Sequence, residues 1–260
     1  MLIDDLRSAL PQIKFESRKS LASLCSLHVG GEAEVFVAPN SIEDSKNLFA
    51  LITKENIPFY ILGGGTNVLF PDGLIRAVVI STENLKSIEW RTHLTADIDA
   101  GFKIPFLMKE LREKNLAGLE FMAGIPGTLG GALNGNAGTG GHGICELIDY
   151  IVTVEPEGCV KTWNLSDFEY GYRKCSLADG KRIIVSSRMT FRKAKHGDKE
   201  VLESYLLRRG TQPHGLSNAG CTFKNPDGYP AGKLLDEAGL TQTEIHRKKP
   251  TYATILGVKP

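Results

Sequence analysis

The chain has 260 residues, enough for one large domain or two to three small ones and ample for a sizeable core. With 42% hydrophobic and 23% charged residues and a formal net charge of +1, it lacks the global field that holds nucleic acid or an anionic membrane surface, so any anion must be bound locally. No apolar run reaches the roughly 20 residues that span a bilayer, and residues 1–10 carry Asp4 and Asp5 in place of a basic and then apolar leader, which together predict a cytoplasmic protein off the membrane.

In chain order, a short helix is expected over Ile3 to Leu10 and a strand over Ser26 to Val29, broken by Gly30-Gly31. Glu34 to Ala38 reads as a strand closed by Pro39-Asn40. Ser41, with an acid three residues on, reads as the N-cap of a helix that runs to about Glu55 on Leu48, Phe49, Leu51 and Ile52. Pro58 to Leu62 and Ala77 to Ile80 are short apolar strands on either side of Gly63-Gly64-Gly65. The order strand, helix, strand, glycine loop, strand predicts a small α/β unit with some parallel pairing.

From Ile88 to Asp99 the period turns to two, and Pro105 to Lys114 follows as an amphipathic helix. Phe121 to Gly143 is dense in glycine. Strands resume at Tyr150 to Val154 and Val160 to Trp163 about the turn Pro156-Glu157-Gly158, and again at Ile183 to Phe191. A helix from Lys199 to Arg209 stops at Gly210, residues 211 to 229 are loop-rich, and Ala231 to Ala238 is a short helix ended by Gly239.

The 28 glycines are clustered, which marks backbone that must turn tightly or lie close to a ligand. Gly63-Gly64-Gly65-Thr66-Asn67 at the end of an apolar strand can aim successive N–H groups at one anion, although a triple glycine serves a tight turn equally well. It is neither GxGxxG nor a Walker A loop, and Gly228 to Leu234 has the wrong spacing for one. The run from Gly124 to Gly138 mixes small residues with Ile125, Pro126, Leu129 and Leu133, which a flexible linker seldom carries. Its small side chains let a flat ring or a pyrophosphate lie against the main chain. The five cysteines are scattered and the six histidines lack ligand spacing, so reduced thiols and no metal site are expected.

Five segments in this order, HVGGEAEVFVAP, LGGGTNVLF, AGIPGTLGGALNGNAG, YGYRKCSL and RRGTQPHGLSNAGCTFKNPDGYPAGKLLDEAGL, resemble the UDP-N-acetylenolpyruvoylglucosamine reductase family over about Leu24 to Leu240. The resemblance implies an oxidoreductase and flavoprotein of peptidoglycan (cell-wall) precursor synthesis. Its cofactor would be non-covalent FAD, and it would use NADPH to reduce the enolpyruvyl ether of a UDP-sugar to the lactyl ether. It implies an α+β fold with two FAD-binding subdomains of the vanillyl-alcohol-oxidase (PCMH) type, over 1–85 and 86–204, and a substrate-binding subdomain over 205–260. By the same likeness Gly63, Gly64, Gly65, Thr66 and Asn67 would hold the pyrophosphate. Gly124, Ile125, Pro126, Gly127, Thr128, Gly130, Gly131, Asn136 and Ala137 would line the rest of the FAD site, and Tyr172, Lys224 and Asn225 would meet substrate.

Adding hydride to an enol ether conjugated with a carboxylate builds enolate charge that needs a fixed cation, and the adjacent carbon needs a proton donor. Arg173 matches the family's catalytic arginine. Cys221 stands where most members carry a proton-donating serine; a thiol, with a free pKa of about 8.5, gives up its proton more readily than an alcohol. The spacing from Arg173 to Cys221 resembles the family's shorter form. Thr241 to Pro260 does not match the family pattern, and Glu244 lies in no equivalent of its late Glu-x-Arg segment, so an incomplete third subdomain is expected. Two other readings fit the same residues: a flavin-binding homologue without this turnover, and another oxidoreductase on the same fold.

Overall fold

A computed structural model describes residues 2–210 and 217–239. The chain divides into two units, residues 1–218 and 219–260. The first holds two sheets. One has the order β1-β2-β4-β3, from β1 (Phe15–Ser20), β2 (Glu32–Val37), β3 (Phe59–Leu62) and β4 (Leu74–Ser81). Strand β4 lies parallel to both β2 and β3, in line with the expected α/β unit. Helix α1 (Leu2–Ala9) precedes β1, and α2 (Ile42–Lys54) forms the crossover from β2 toward β3. The Ser41 hydroxyl accepts the Asp44 N–H at 3.0 Å, the predicted cap. Helix α2 buries Leu48, Phe49 and Ile52 against Val35, Val37, Val78 and Ile80, and Val154, Ile183 and Val185 of the second sheet complete this core.

The second sheet is antiparallel, in the order β5-β6-β12-β8-β9. Its strands are β5 (Ile88–Trp90), β6 (Thr95–Asp99), β8 (Ile148–Val154), β9 (Val160–Asn164) and β12 (Ile183–Thr190). Helix α3 (Ile104–Glu113) covers it through Ile104, Leu107 and Leu111, which join Ile98, Met122, Leu129 and Met189 in a second core. Two short ladders complete this part: β7 (Leu116–Ala117) with β13 (Arg192–Lys193), and β10 (Tyr170–Gly171) with β11 (Lys174–Cys175). Helix α5 (Asp198–Gly210) follows.

One expectation is corrected here. Ser26 to Val29 is a turn, with His28 at φ +54° and the Cys25 thiol 3.2 Å from the Val29 carbonyl, so its four residues never extend. The strand lies earlier, at β1, which pairs antiparallel with β2 at the sheet edge; only Phe15 of its six residues is buried, so no alternation marks it. The glycine-dense run, to which the sequence assigns no element, holds α4 (Leu129–Asn134), a helical turn and a half. Gly130 is required there by packing, because a Cβ on it would lie 2.9 Å from the Ala100 Cβ.

The second unit contains, among its described residues, the loop 219–230 and helix α6 (Ala231–Glu237). No helix among the described residues is long and apolar enough to cross a membrane, and no cluster of His, Cys, Asp or Glu among them could hold a metal.

Candidate functional site: a seam of two glycine loops and an arginine hairpin

Strand β3 ends at Leu62 and the chain turns through Gly63 to Asn67; the segment from Gly124 to Thr128 leads into α4. The fold lays these two stretches side by side. A Cβ on Gly64 would stand 2.8 Å from the Gly127 Cα, one on Gly63 would stand 2.8 Å from the Thr128 hydroxyl, and one on Gly127 would meet the Thr66 hydroxyl at 2.9 Å. Gly127, at φ +111°, also occupies backbone space that side chains rarely enter. The Thr66 hydroxyl reaches across to the Pro126 carbonyl at 3.5 Å. The glycines therefore let two main chains touch. The Cβ positions of Gly63, Gly64 and Gly127 are excluded by the facing loop, and that of Gly65 by the Leu24 carbonyl, so these glycines serve the packing of the main chain itself.

What the contact leaves open is hydrogen-bonding capacity. The second segment is anchored from behind: Ile104 N–H donates to the Gly127 carbonyl, Leu129 N–H to Phe102, and Gly130 N–H to Ala100 at 2.7 Å. Among the described residues, the N–H groups of Gly64, Gly65, Thr66 and Asn67 have no acceptor, nor do those of Gly127 and Thr128. The Thr128 hydroxyl is buried at the same seam and has no partner there. Buried polar groups in native proteins are normally satisfied, so the orphaned Thr128 hydroxyl points to a ligand acceptor, and the solvent-facing N–H groups beside it can turn toward the same ligand. The residues present thus suit the pyrophosphate of FAD.

Beyond α4 stands the hairpin β10–β11, whose two-residue turn is Tyr172-Arg173. Arg173 is half-buried at φ +53°, and its guanidinium lies 5.6 Å from the Tyr172 ring. No carboxylate among the described residues pairs with it, whereas Arg188, Arg91, Arg192 and Arg182 all have acidic partners. The hairpin is tied down by the Asn136 carboxamide, whose nitrogen donates to the Gly171 carbonyl at 2.9 Å and whose oxygen accepts the Cys145 N–H at 3.0 Å. The buried thiols of Cys145 and Cys175 hydrogen-bond each other beside it. That contact, with the N–H groups of Leu177 and Ala178, lowers the Cys175 thiol and raises that of Cys145, which burial raises further.

Residues 33–163 match the profile of the FAD binding domain, and residues 212–250 match that of the UDP-N-acetylenolpyruvoylglucosamine reductase C-terminal domain. The UDP-N-acetylenolpyruvoylglucosamine reductase of Clostridioides difficile (strain 630) is 38% identical over 219 residues, 83% of this chain and 71% of the relative. This chain belongs to the UDP-N-acetylenolpyruvoylglucosamine reductase family. It is an FAD-binding oxidoreductase of peptidoglycan synthesis. The crystal structure of the UDP-N-acetylenolpyruvylglucosamine reductase from Thermus caldophilus superposes with a TM-score of 0.75 at 28% identity, covering 88% of this chain and 80% of that one. A chitooligosaccharide oxidase shares the fold at a TM-score of 0.55 and 16% identity, over 72% of this chain and 43% of that one. The α+β, PCMH-type fold expected from the sequence is the one found.

The reductase C-terminal profile runs ten residues past Leu240, so the likeness does not stop where the sequence motifs stop. Thr241 to Pro260, with Glu244, and Thr211 to Leu216 lie outside the described residues. In the second unit Cys221, Lys224 and Tyr229 are exposed. The Asn225 carboxamide oxygen accepts the Ala231 N–H at 2.9 Å and so holds the start of α6, a task that its motif did not suggest. In the first unit Ile125 and Ala137 are half-buried against the second core. His142 stacks near Phe121, and its Nδ1 lies 2.9 Å from Glu146.

Proposed function

We propose that this chain reduces the enolpyruvyl ether of UDP-N-acetylglucosamine enolpyruvate to the lactyl ether of UDP-N-acetylmuramate, with NADPH as reductant. Bound FAD, held non-covalently, supplies the two-electron chemistry. The loops 63–67 and 124–131 would hold it, through the main-chain N–H groups of residues 64–67, Gly127 and Thr128 and through the Thr128 hydroxyl. Arg173 supports the negative charge that builds on the substrate carboxylate. The observation that carries this role is a guanidinium on a pinned turn with no acidic partner among the described residues, since a cation already neutralised cannot serve a developing anion. Cys221 gives its proton to the carbon next to the reduced one, and Tyr172, Lys224 and Asn225 contact the UDP-sugar.

In this reading residues 1–85 and 86–204 are the two FAD subdomains and 205–260 the substrate subdomain. The enzyme works in the cytoplasm on small molecules, without nucleic acid, membrane or metal. The test follows the flavin absorbance anaerobically: NADPH bleaches it, and UDP-N-acetylglucosamine enolpyruvate restores it. Bleaching without recovery would favour a homologue that binds flavin but does not turn over. Failure of NADPH to bleach it would favour another oxidoreductase on the same fold.

A further inference from the structure

Asn136 lies at the end of α4, in the glycine-rich segment whose start helps build the FAD seam, and its likeness to the family places it on the cofactor. Its geometry says otherwise. The residue is buried, with its backbone left-handed at φ +40° and anchored by its N–H to Leu133. Both ends of the carboxamide are committed inside the protein, one to Gly171 and the other to Cys145. Gly143 makes room for it, since a Cβ there would fall on the amide. The bond to Gly171 reaches the residue immediately before the turn that carries Arg173. That hairpin has only two paired positions on each strand, Tyr170 with Cys175 and Gly171 with Lys174, too few to fix a turn unaided.

We propose that Asn136 is a positioning residue that sets the place of Arg173 by clamping the Gly171 carbonyl. The proposal rests on the assignment of Arg173 as the cation that serves the substrate. A shift of about 1 Å in such a group costs on the order of a hundredfold in rate, whereas FAD retention depends on the seam at the other end of the segment.

The test is Asn136→Gly, because glycine accepts the left-handed backbone; it removes the clamp on Gly171 together with the acceptor of the Cys145 N–H, and Asn136→Asp, which keeps that acceptor, separates the two. FAD content and the rate at which NADPH bleaches the flavin stay within about twofold of the parent. Recovery on adding UDP-N-acetylglucosamine enolpyruvate slows by about tenfold to a hundredfold, and hydrogen exchange at the amides of residues 172–174 quickens about tenfold in the protein without FAD. In an Arg173→Ala background the same change adds less than twofold. Losses that multiply in the double variant, or a fall in FAD content that accounts for the slower recovery, would overturn the proposal. If Arg173→Ala alone keeps full turnover, the assignment of Arg173 fails instead.

Asn136→Asp keeps the shape and serves if the glycine variant does not fold. Its ionised carboxyl faces the Gly171 carbonyl and cannot donate, so recovery is slow at neutral pH. It quickens relative to the parent as the pH falls and the introduced carboxyl regains a proton to donate. A ratio of variant to parent that is flat with pH would overturn the clamp.

Discussion

Gly64→Ala isolates the contact between the two loops. Gly64 is not left-handed, so its backbone accepts alanine, and the whole penalty comes from the Cβ placed 2.8 Å from the Gly127 Cα and 3.3 Å from the Thr128 nitrogen. Carbon atoms rest at about 3.5–4.0 Å, so the loops must part by roughly 1 Å. Such overpacking costs about 1–3 kcal/mol. The smaller entropy of the unfolded alanine chain returns about 0.4–1 kcal/mol, which leaves a net loss of about 1–2 kcal/mol. The donors aimed at FAD move with the loops, so a similar loss in binding weakens Kd by about 5- to 30-fold. The assay titrates FAD into apo protein by flavin fluorescence and melts the apo form alongside. Gly135→Ala is the control from the same segment, because nothing lies within 4 Å of its Cβ, and it stays within about 0.5 kcal/mol of the parent. A Gly64→Ala protein that binds FAD within twofold of the parent and melts at the parent's temperature would refute the apposition.

Cys221→Ser retains most of the turnover, whereas Cys221→Ala still lets NADPH bleach the flavin but slows recovery by the UDP-sugar by about 100-fold or more; unchanged recovery in Cys221→Ala would remove the thiol from the reaction. Arg173→Gly and Arg173→Ala both lose recovery, but the glycine variant is the more stable by about 1 kcal/mol in urea, because φ +53° strains any side chain. Asp97 takes hydrogen bonds from Arg188 at 2.7 and 2.8 Å, from Arg91 at 2.6 Å and from Tyr150 at 3.1 Å, and these hold its carboxyl at about 2 against burial. Its folded value lies below its unfolded one, so the stability it contributes is present at neutral pH and lost as pH falls from about 4 to about 2. Screening at the sheet surface leaves that contribution at about 1 kcal/mol. Unfolding free energies measured across that range for Asp97→Asn lack this acid limb, and an unchanged limb would count against the network.

Elements with a strong local signal were legible in the sequence. Helix α2 announces itself by Ser41 and the spacing of its apolar face, and the parallel pairing of β2, β3 and β4 follows from the order of elements. Strand β1 was not legible, because an edge strand with one buried residue shows no period. Helix α4 was hidden because Gly130 and Gly131 lower helix propensity, and only packing against Ala100 and the main-chain anchors restores it. The two glycine loops could be marked as special, but not as partners: the contact spans about sixty residues, and nothing within either loop names the other. The double commitment of Asn136 is likewise non-local, to Cys145 nine residues on and Gly171 thirty-five residues on. Asn225 reads as a ligand contact in its motif, while its bond to the head of α6 depends on a turn that the motif does not reveal.

The seam joins two segments that belong to different sheets, and this bears on the order in which the protein assembles. The four-stranded sheet closes on local connections, yet the loop after β3 cannot meet its counterpart until the chain has been made through α4 and the second sheet has formed beneath it. Loop closure over so long a stretch is costly, and the pyrophosphate site does not exist until both loops are in place. Once captured, FAD fastens the two loops by mass action: at a thousand times its Kd, the free cofactor adds about 4 kcal/mol. Loss of the flavin therefore removes that increment and loosens the contact between loops 63–67 and 124–128, while the core that Val154, Ile183 and Val185 share with α2 still holds the two sheets together.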